Sequence, residues 1–439
     1  MQTFSRSAGA MEVVFDDHCA VANGGLVLPM TLARRLGLAE LVGANVKLGD
    51  APGHANAGAK AVALVASALV GGDCLDDADV LRSGRSGAIL GQWVPAPSTL
   101  GIFLRSFSWA DARSLDKVAG ELLKRAWAAG AGPGDGPLTI DVDSTICETY
   151  GLKKQGAVFG YTHVRGLHPL LAVASGTGDV LGVRQRGGNS HTARGAASFL
   201  AEVFGRVRKA GGSGSLSLRA DSGFYNRAVT GACSQAGVAF SITAKMSPAL
   251  GRAIEAVPEA LWAPIAYWMD GAADVAETAY KPFGQANEVR LIVRRVKPTP
   301  GTQLALLTNY AYHAFITNRV GATLALEADH RRHAEIELVI RDLKEGAGWA
   351  HMPSGRFGAH SAWLALGAMA HNLARWSARL GQMTSRDGPI TLATLRRRYI
   401  CVPGHLSRSG RRTTLHLAKG WPWAEGFLAA LGRLRALAP

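Results

Sequence analysis

The alternation of apolar and polar positions is sharpest at LTIDVDST, residues 138–145, where Leu138, Ile140 and Val142 fall on one face of a strand and Thr139, Asp141 and Asp143 on the other. Upstream of it the period is helical. After two short strands at 12–15 and 25–28, helix signals cover 29–42, 60–70, the stretch LDDADVLR, 97–107 and 110–129, the last with Leu115, Val118, Leu122 and Ala126 at helical spacing. Short helices joined by glycine-bearing turns suit either a helix-turn-helix reader of DNA or an ordinary bundle. The cluster GAGPGDGP, 130–137, marks the clearest boundary in the chain.

Beyond it the pattern reads strand (138–145), strand from His168, strand from Val180 across a turn at Gly176, Thr177 and Gly178, helix 192–209, strand 216–223, helix 226–235 and strand 239–244. Three antiparallel strands, then helix, strand, helix and strand, give an α/β (α+β) class with the element order of a ribonuclease-H-like core. From 246 to 301 the periodicity loosens. Pro248, Pro258, Pro264, Pro282, Pro298 and Pro300 interrupt it, Trp262, Tyr267, Trp268 and Tyr280 fall within it, and VRLIVRRV (Val289–Val296) alternates like a strand. A strand at 304–310 and helices at 327–345 and 359–380 complete the pattern. The expected organisation is a mainly helical domain at 1–130, a first core segment at 131–245, a β-rich insertion at 246–303, a second core segment at 304–385 and a basic C-terminal segment at 386–439.

Charge adds a partner to this picture. A formal net charge of +15 on 439 residues favours a polyanion, nucleic acid before an anionic membrane surface. From Thr391 onward nine Lys or Arg residues face a single acid, Glu425. Within that segment Arg396, Arg397 and Arg398, and then Arg408, Arg411 and Arg412, have no acids interleaved, which favours phosphate contacts over a merely solvated face. The five cysteines are scattered, so neither a zinc knuckle nor a disulfide framework is indicated and a reducing cytoplasm fits. The apolar run 61–70 is about half of the roughly 18 residues that span a bilayer. Acids at 12, 16 and 17 fall where an export signal needs its apolar stretch, so neither export nor a membrane partner is expected.

The candidate chemistry lies in the acids. A carboxylate on a strand among apolar neighbours is costly unless it is paired or binds a metal, and Asp141 and Asp143 share one face. Asp221 closes a later strand in ADSGFY, where taken alone it reads first as an acid opening a glycine turn. Glu337 sits in DHRRHAEIELVIRDLKEGAG beside an apolar stripe of Ile336, Ile340 and Leu343, with Lys344 seven residues on along the same helix.

Together these pieces resemble the DDE transposases of bacterial insertion sequences, in the branch with a β-strand insertion before the glutamate and a Tyr-x2-Arg-x3-Glu-x6-Lys signature on its helix. Laid on this chain the signature falls on His330, His333, Glu337 and Lys344, so the Glu and Lys match and the Tyr and Arg do not. The family pattern of Ser or Thr directly after the first aspartate favours Asp143, followed by Ser144 and Thr145, over Asp141. Glu337 follows Asp221 by 116 positions, which leaves room for the insertion.

The resemblance implies that Asp143 bridges two Mg²⁺ ions, for which Mn²⁺ can substitute, with Asp221 on one and Glu337 on the other. It implies DNA contacts near the cleaved bond at His330 and His333, where Arg331 or Arg332 supplies the lost charge, and a phosphate held by Lys344. Trp262 or Trp268 would hold a base flipped from a hairpin end, with core packing as the competing role. The activity implied is cut-and-paste transposition by a cytoplasmic bacterial enzyme, a homodimer on paired double-stranded inverted repeats that joins them to target DNA. Two other readings stay open. One is a transposase-derived DNA-binding protein that does not cut, and the other is a ribonuclease-H-like nuclease without strand transfer.

Overall fold

Residues 12–51, 53–160, 162–266, 272–284, 287–297, 310–383 and 390–438 are described by the computed structural model. The helical half opens with α1 (Val27–Arg35) and α2 (Leu38–Asn45), separated where Gly37 takes φ 71°, so the single helix expected at 29–42 is two. Neither expected short strand forms. Residues 12–15 are exposed coil, and 25–28 turn helical because glycines there let the chain press on the C-terminal segment: a Cβ on Gly25 would lie 1.6 Å from the Tyr399 carbonyl oxygen. Helices α3 (Ala57–Val70), α4 (Pro97–Arg105) and α5 (Trp109–Ala126) follow the helical period. A capping box starts α5, in which Ser108 Oγ accepts the Asp111 N–H at 3.1 Å and Asp111 Oδ2 accepts the Ser108 N–H at 2.9 Å.

After the glycine-rich boundary comes the core: β1 (Leu138–Ser144), β2 (Leu170–Ala174), β3 (Val180–Arg184), α6 (Ala196–Lys209), β4 (Leu216–Ala220), α7 (Arg227–Gln235) and β5 (Ala239–Thr243). Strands β1, β2 and β3 pair antiparallel, whereas β1, β4 and β5 pair parallel. The next strands are β6 (Ala263–Ile265), β7 (Ala273–Tyr280), β8 (Val289–Val296) and β9 (Ala311–Thr317). They continue the same sheet. Its order among the described residues is β6-β7-β8-β9-β5-β4-β1-β2-β3, with Phe315 of β9 opposite Thr243 of β5. The strand expected at 304–310 falls outside the described residues except for Tyr310, as do Tyr267, Trp268, Pro298 and Pro300.

The helix expected at 327–345 is broken into α8 (Thr323–Arg331) and α9 (Glu335–Gly346) by a tight turn at 332–334. Side chains on either side of the break are drawn to different strands: His330 reaches Ser241 and Thr243 of β5, and His333 reaches Asp141 of β1. The long helix α10 (Phe357–Leu380) is buried along most of its length and packs on α3, α5 and β3. Its first turn sits so close to the end of α4 that a Cβ on Gly358 would lie 2.0 Å from the Phe107 carbonyl oxygen.

The C-terminal segment folds back on the start of the chain. Its hairpin, Gly404–Ser409 with Arg412–Leu417, pairs with Ala20–Val21, and helix α11 (Ala424–Ala436) packs on α1, where Arg35 donates to the Arg435 carbonyl at 2.6 Å. No helix among the described residues is long and apolar enough to cross a membrane.

Candidate active site

Strands β1 and β4 run parallel with Val142 opposite Ala220, so the next residue on each, Asp143 and Asp221, emerge together at the carboxyl ends of the two strands. Helix α9 crosses β1 and brings Glu337 to the same place. The three acids line one cavity of about 340 Å³, shared with Thr243, Arg294, His313, Phe315, Glu327, His330, Arg331 and His333.

Burial pushes the Asp143 carboxyl up to about 6, and the negative charges of Asp221 and Glu337 add to the rise; the Ser144 N–H, 2.6 Å from Oδ1, and His333 oppose it. Asp221 is raised too, by burial, although Gly223 donates its N–H to Oδ1 at 3.0 Å. Acceptor-only groups that penalise one another's charge form a donor set suited to hard divalent cations. Among the described residues the one trio of acid, cysteine or histidine ligand atoms within 4.8 Å of each other is Asp73, Cys74 and Asp77, on the loop after α3.

Asp141 has a different fate from its neighbour on the strand face. Its carboxylate is fully buried and held by Arg219 of β4, with Nε to Oδ1 and Nη2 to Oδ2 both at 2.8 Å. The same guanidinium also reaches the Asp329 carbonyl at 2.6 Å and Ser175 Oγ at 2.6 Å. Both oxygens of Asp141 are thus occupied by a cation from the chain itself.

The residues expected to contact DNA divide sharply. His330 turns inward: its ring nitrogens lie 2.6 Å from Ser241 Oγ and 3.0 Å from Thr243 Oγ1, it stacks on Phe315, and burial lowers its pKa to about 3. It is a neutral strut, not a surface cation, because both nitrogens are used within the fold. His333 stays at the cavity wall with Nδ1 3.1 Å from Asp141 Oδ1. Arg331 lies 3.1 Å from Glu327, which also binds Arg294 at 2.7 Å, and Arg332 pairs with the exposed side of Glu335 at 2.9 Å. Lys344 is half-buried two turns along α9 from Glu337, where its charge is felt by the Cys147 thiol.

In the C-terminal segment Arg396 also turns inward. Its guanidinium donates to the carbonyls of Leu69 at 2.9 Å and Ala68 at 2.6 Å, and to that of Gly346, closing the ends of α3 and α9. Helix C-termini leave carbonyls without partners, and this arginine satisfies them. Arg398 lies over the Trp423 ring at 5.6 Å. Arg397, Arg408, Arg411 and Arg412 are exposed, the last three at the tip of the hairpin. Trp262 packs against the core with Arg295 over its ring at 4.4 Å.

Three cavity residues escaped the sequence. Arg294 and His313 are cross-strand partners on β8 and β9, and Glu327 bridges Arg294 to Arg331. The alternation of VRLIVRRV could have placed Arg294 on a face, but not that face on the cavity, which depends on the β9–β5 pairing. A larger cavity of about 620 Å³ lies on the other side of α9, but its buried acids are already engaged: Asp342 accepts the Leu392 N–H at 3.0 Å, and Asp141 holds Arg219.

Strand order β3-β2-β1-β4-β5, with an acid on β1, a second just past β4 and a third on a helix crossing β1, defines a ribonuclease-H-like core on whose cavity three acids converge. The chain belongs to the family described as Transposase DDE domain group 1, whose family model matches residues 5–439. It is similar to the cryo-EM structure of a piggyBac transposase synaptic complex with hairpin DNA, with a TM-score of 0.46 at 11% identity over 86% of this chain and 79% of that one. No curated protein sequence matches it.

Proposed function

We propose that this transposase cleaves DNA at the ends of its element and joins them to target DNA, with Asp143, Asp221 and Glu337 as the metal-holding carboxylates. The observation that carries this reading is the convergence of the three acids on one cavity, where Asp143 is raised to about 6 and Arg219 has already claimed Asp141. Two Mg²⁺ ions, or Mn²⁺ in their place, would supply activation of the attacking hydroxyl and relief of charge on the leaving oxygen. Asp143 feels the charges of both Asp221 and Glu337, so these three would be the residues to hold the ions. Lys344 grips a phosphate of the end, and the exposed arginines at 397, 408, 411 and 412 extend the phosphate track. Cut-and-paste movement through hairpin ends by a homodimer on paired inverted repeats is the fullest form of this proposal.

A second reading, a DNA-binding derivative that no longer cuts, is favoured by one observation: both ring nitrogens of His330 are taken up by Ser241 and Thr243, so the position of the signature tyrosine has no polar atom left for DNA. A labelled DNA end incubated with Mg²⁺ decides between them. Wild type should nick and then join, and Asp143→Ala should do neither. Nicking that survives the substitution removes the site assignment, binding without nicking supports the second reading, and nicking without joined product leaves a simple nuclease.

A further inference from the structure

Helices α3 and α9 end side by side, because Arg396 donates to the carbonyls of Ala68 and Leu69 near the end of one and to that of Gly346 at the end of the other. The loops that leave the two helices therefore meet. Asp73, Cys74 and Asp77 follow α3, with carboxylate oxygens and thiol sulfur all within 4.8 Å of one another. His351 follows α9, and its Nδ1 lies 4.0 Å from Asp73 Oδ1. It is also near enough to Asp77 for the protonated ring to favour that carboxylate.

Both loops are anchored from inside. The Gly72 N–H donates to the Ser67 carbonyl at 2.8 Å, and a Cβ on Gly72 would lie 2.3 Å from Ser67 Oγ. Asp77 Oδ2 then accepts the N–H groups of Asp73 at 2.8 Å and Cys74 at 3.0 Å, which folds the loop back on itself. A carboxylate has acceptor capacity beyond two such bonds. On the other loop Trp349 and Met352 are buried on either side of His351, so the exposed ring is carried on a fixed turn. Burial, and then the Asp77 side chain, push the Cys74 thiol up, a penalty that a cation between them would reverse. Both helices present their carboxyl ends here, the end whose dipole favours positive charge.

We propose that Asp73, Cys74, Asp77 and His351 hold a structural zinc ion that ties the loop after α3 to the loop after α9, the helix that carries Glu337. One sulfur, one imidazole nitrogen and two carboxylates form a borderline donor set that suits Zn²⁺ and not Mg²⁺. Bonds of about 2.0–2.3 Å in a tetrahedron set ligand atoms about 3.3–3.8 Å apart, so closing this set asks side-chain movements of about 1 Å. Four protein ligands leave no open position for water, and the ion serves the frame and not the chemistry. The site is separate from the acidic cavity and does not depend on what that cavity does.

The full chain, stripped with EDTA, is titrated with Co²⁺, whose bond to a thiolate gives a near-ultraviolet charge-transfer band. The acidic cavity has no cysteine in its lining and stays silent in this assay. A single equivalent should raise the band, and Zn²⁺ should displace it. Cys74→Ser should abolish the band. His351→Ala and Asp73→Asn should each weaken Zn²⁺ binding more than about tenfold, since even an outer-sphere partner is worth about 10–100-fold. Asp77 is left intact because it also shapes the loop. A measurement on wild type alone guards against misfolded variants: Zn²⁺ should protect Cys74 from iodoacetamide, read by peptide mass, while the part-exposed Cys19 and Cys401 stay reactive. The proposal is overturned by absence of the band in wild type, by a band that survives Cys74→Ser, by unchanged Zn²⁺ affinity in His351→Ala, or by alkylation of Cys74 at the same rate with and without Zn²⁺.

Discussion

Replacing Arg219 by Met keeps most of the side-chain volume and removes the cation from a carboxylate with 1% of its surface exposed. The buried Asp141 then loses two 2.8 Å bonds and keeps only the His333 contact. Stranding one partner of a buried pair costs about 3–5 kcal/mol. For 439 residues the unfolding entropy is about 0.9 kcal/mol per degree, so a cost of about 4 kcal/mol lowers Tm by about 4 °C if the chain unfolds as one unit. Combining Arg219→Met with Asp141→Asn removes the stranded charge, leaves His333 an acceptor, and should recover more than half of the loss. Thermal unfolding of the two single variants and the double gives the coupling directly. The double variant should also retain Mg²⁺-dependent nicking, because Asp141 is engaged by a guanidinium of the scaffold and Asp143 by no cationic side chain at bonding distance. A double variant as stable as wild type yet as inactive as Asp143→Ala would refute the assignment of Asp141 to the scaffold.

Asp143→Asn should stabilise the metal-free protein at pH 8 by about 1–3 kcal/mol, or about 1–3 °C. A carboxyl raised from 3.8 to about 6 penalises the ionised form in the fold, so stability is lost as pH rises across that interval, and the gain should vanish at pH 4 and in Mg²⁺. His330, lowered to about 3, has the opposite sign: its contribution is complete above pH 6.5 and is lost as pH falls towards 3, so His330→Gln should flatten the fall of Tm between pH 7.5 and 5. An unaltered slope would contradict its burial. Arg411→Ala should reduce the slope of log affinity for DNA against log salt by about 0.9, whereas Arg396→Ala should leave that slope unchanged and cost about 3 kcal/mol of stability. The reverse pattern would exchange their roles.

The core was legible because its signals are local. A period of two with acids on one face marked β1, and turn residues marked the hairpin between β2 and β3. What escaped depends on distant partners. Asp141 and Asp143 are equivalent in the alternation, and only the pairing with β4 puts Arg219 opposite Asp141. Arg396 and Arg397 are neighbours in one basic run, yet one closes two helix ends and the other faces solvent, because the carbonyls that need a donor belong to residues 68, 69 and 346. The helix expected at 327–345 breaks at 332–334, where His330 is held by Ser241 and Thr243 of β5 and His333 by Asp141 of β1, partners that local propensity does not reveal.

The meeting of residues 20–35 with the segment beyond residue 395 has a consequence during synthesis. A polypeptide still growing on the ribosome, with residue 395 the last one added, has its triad strands and its acids but lacks the guanidinium that seals α3 and α9, the hairpin that pairs with Ala20–Val21, and the helix that covers α1. A chain without that segment would carry the acids while leaving the carbonyls that end α3 and α9 without their donor and α1 without its cover.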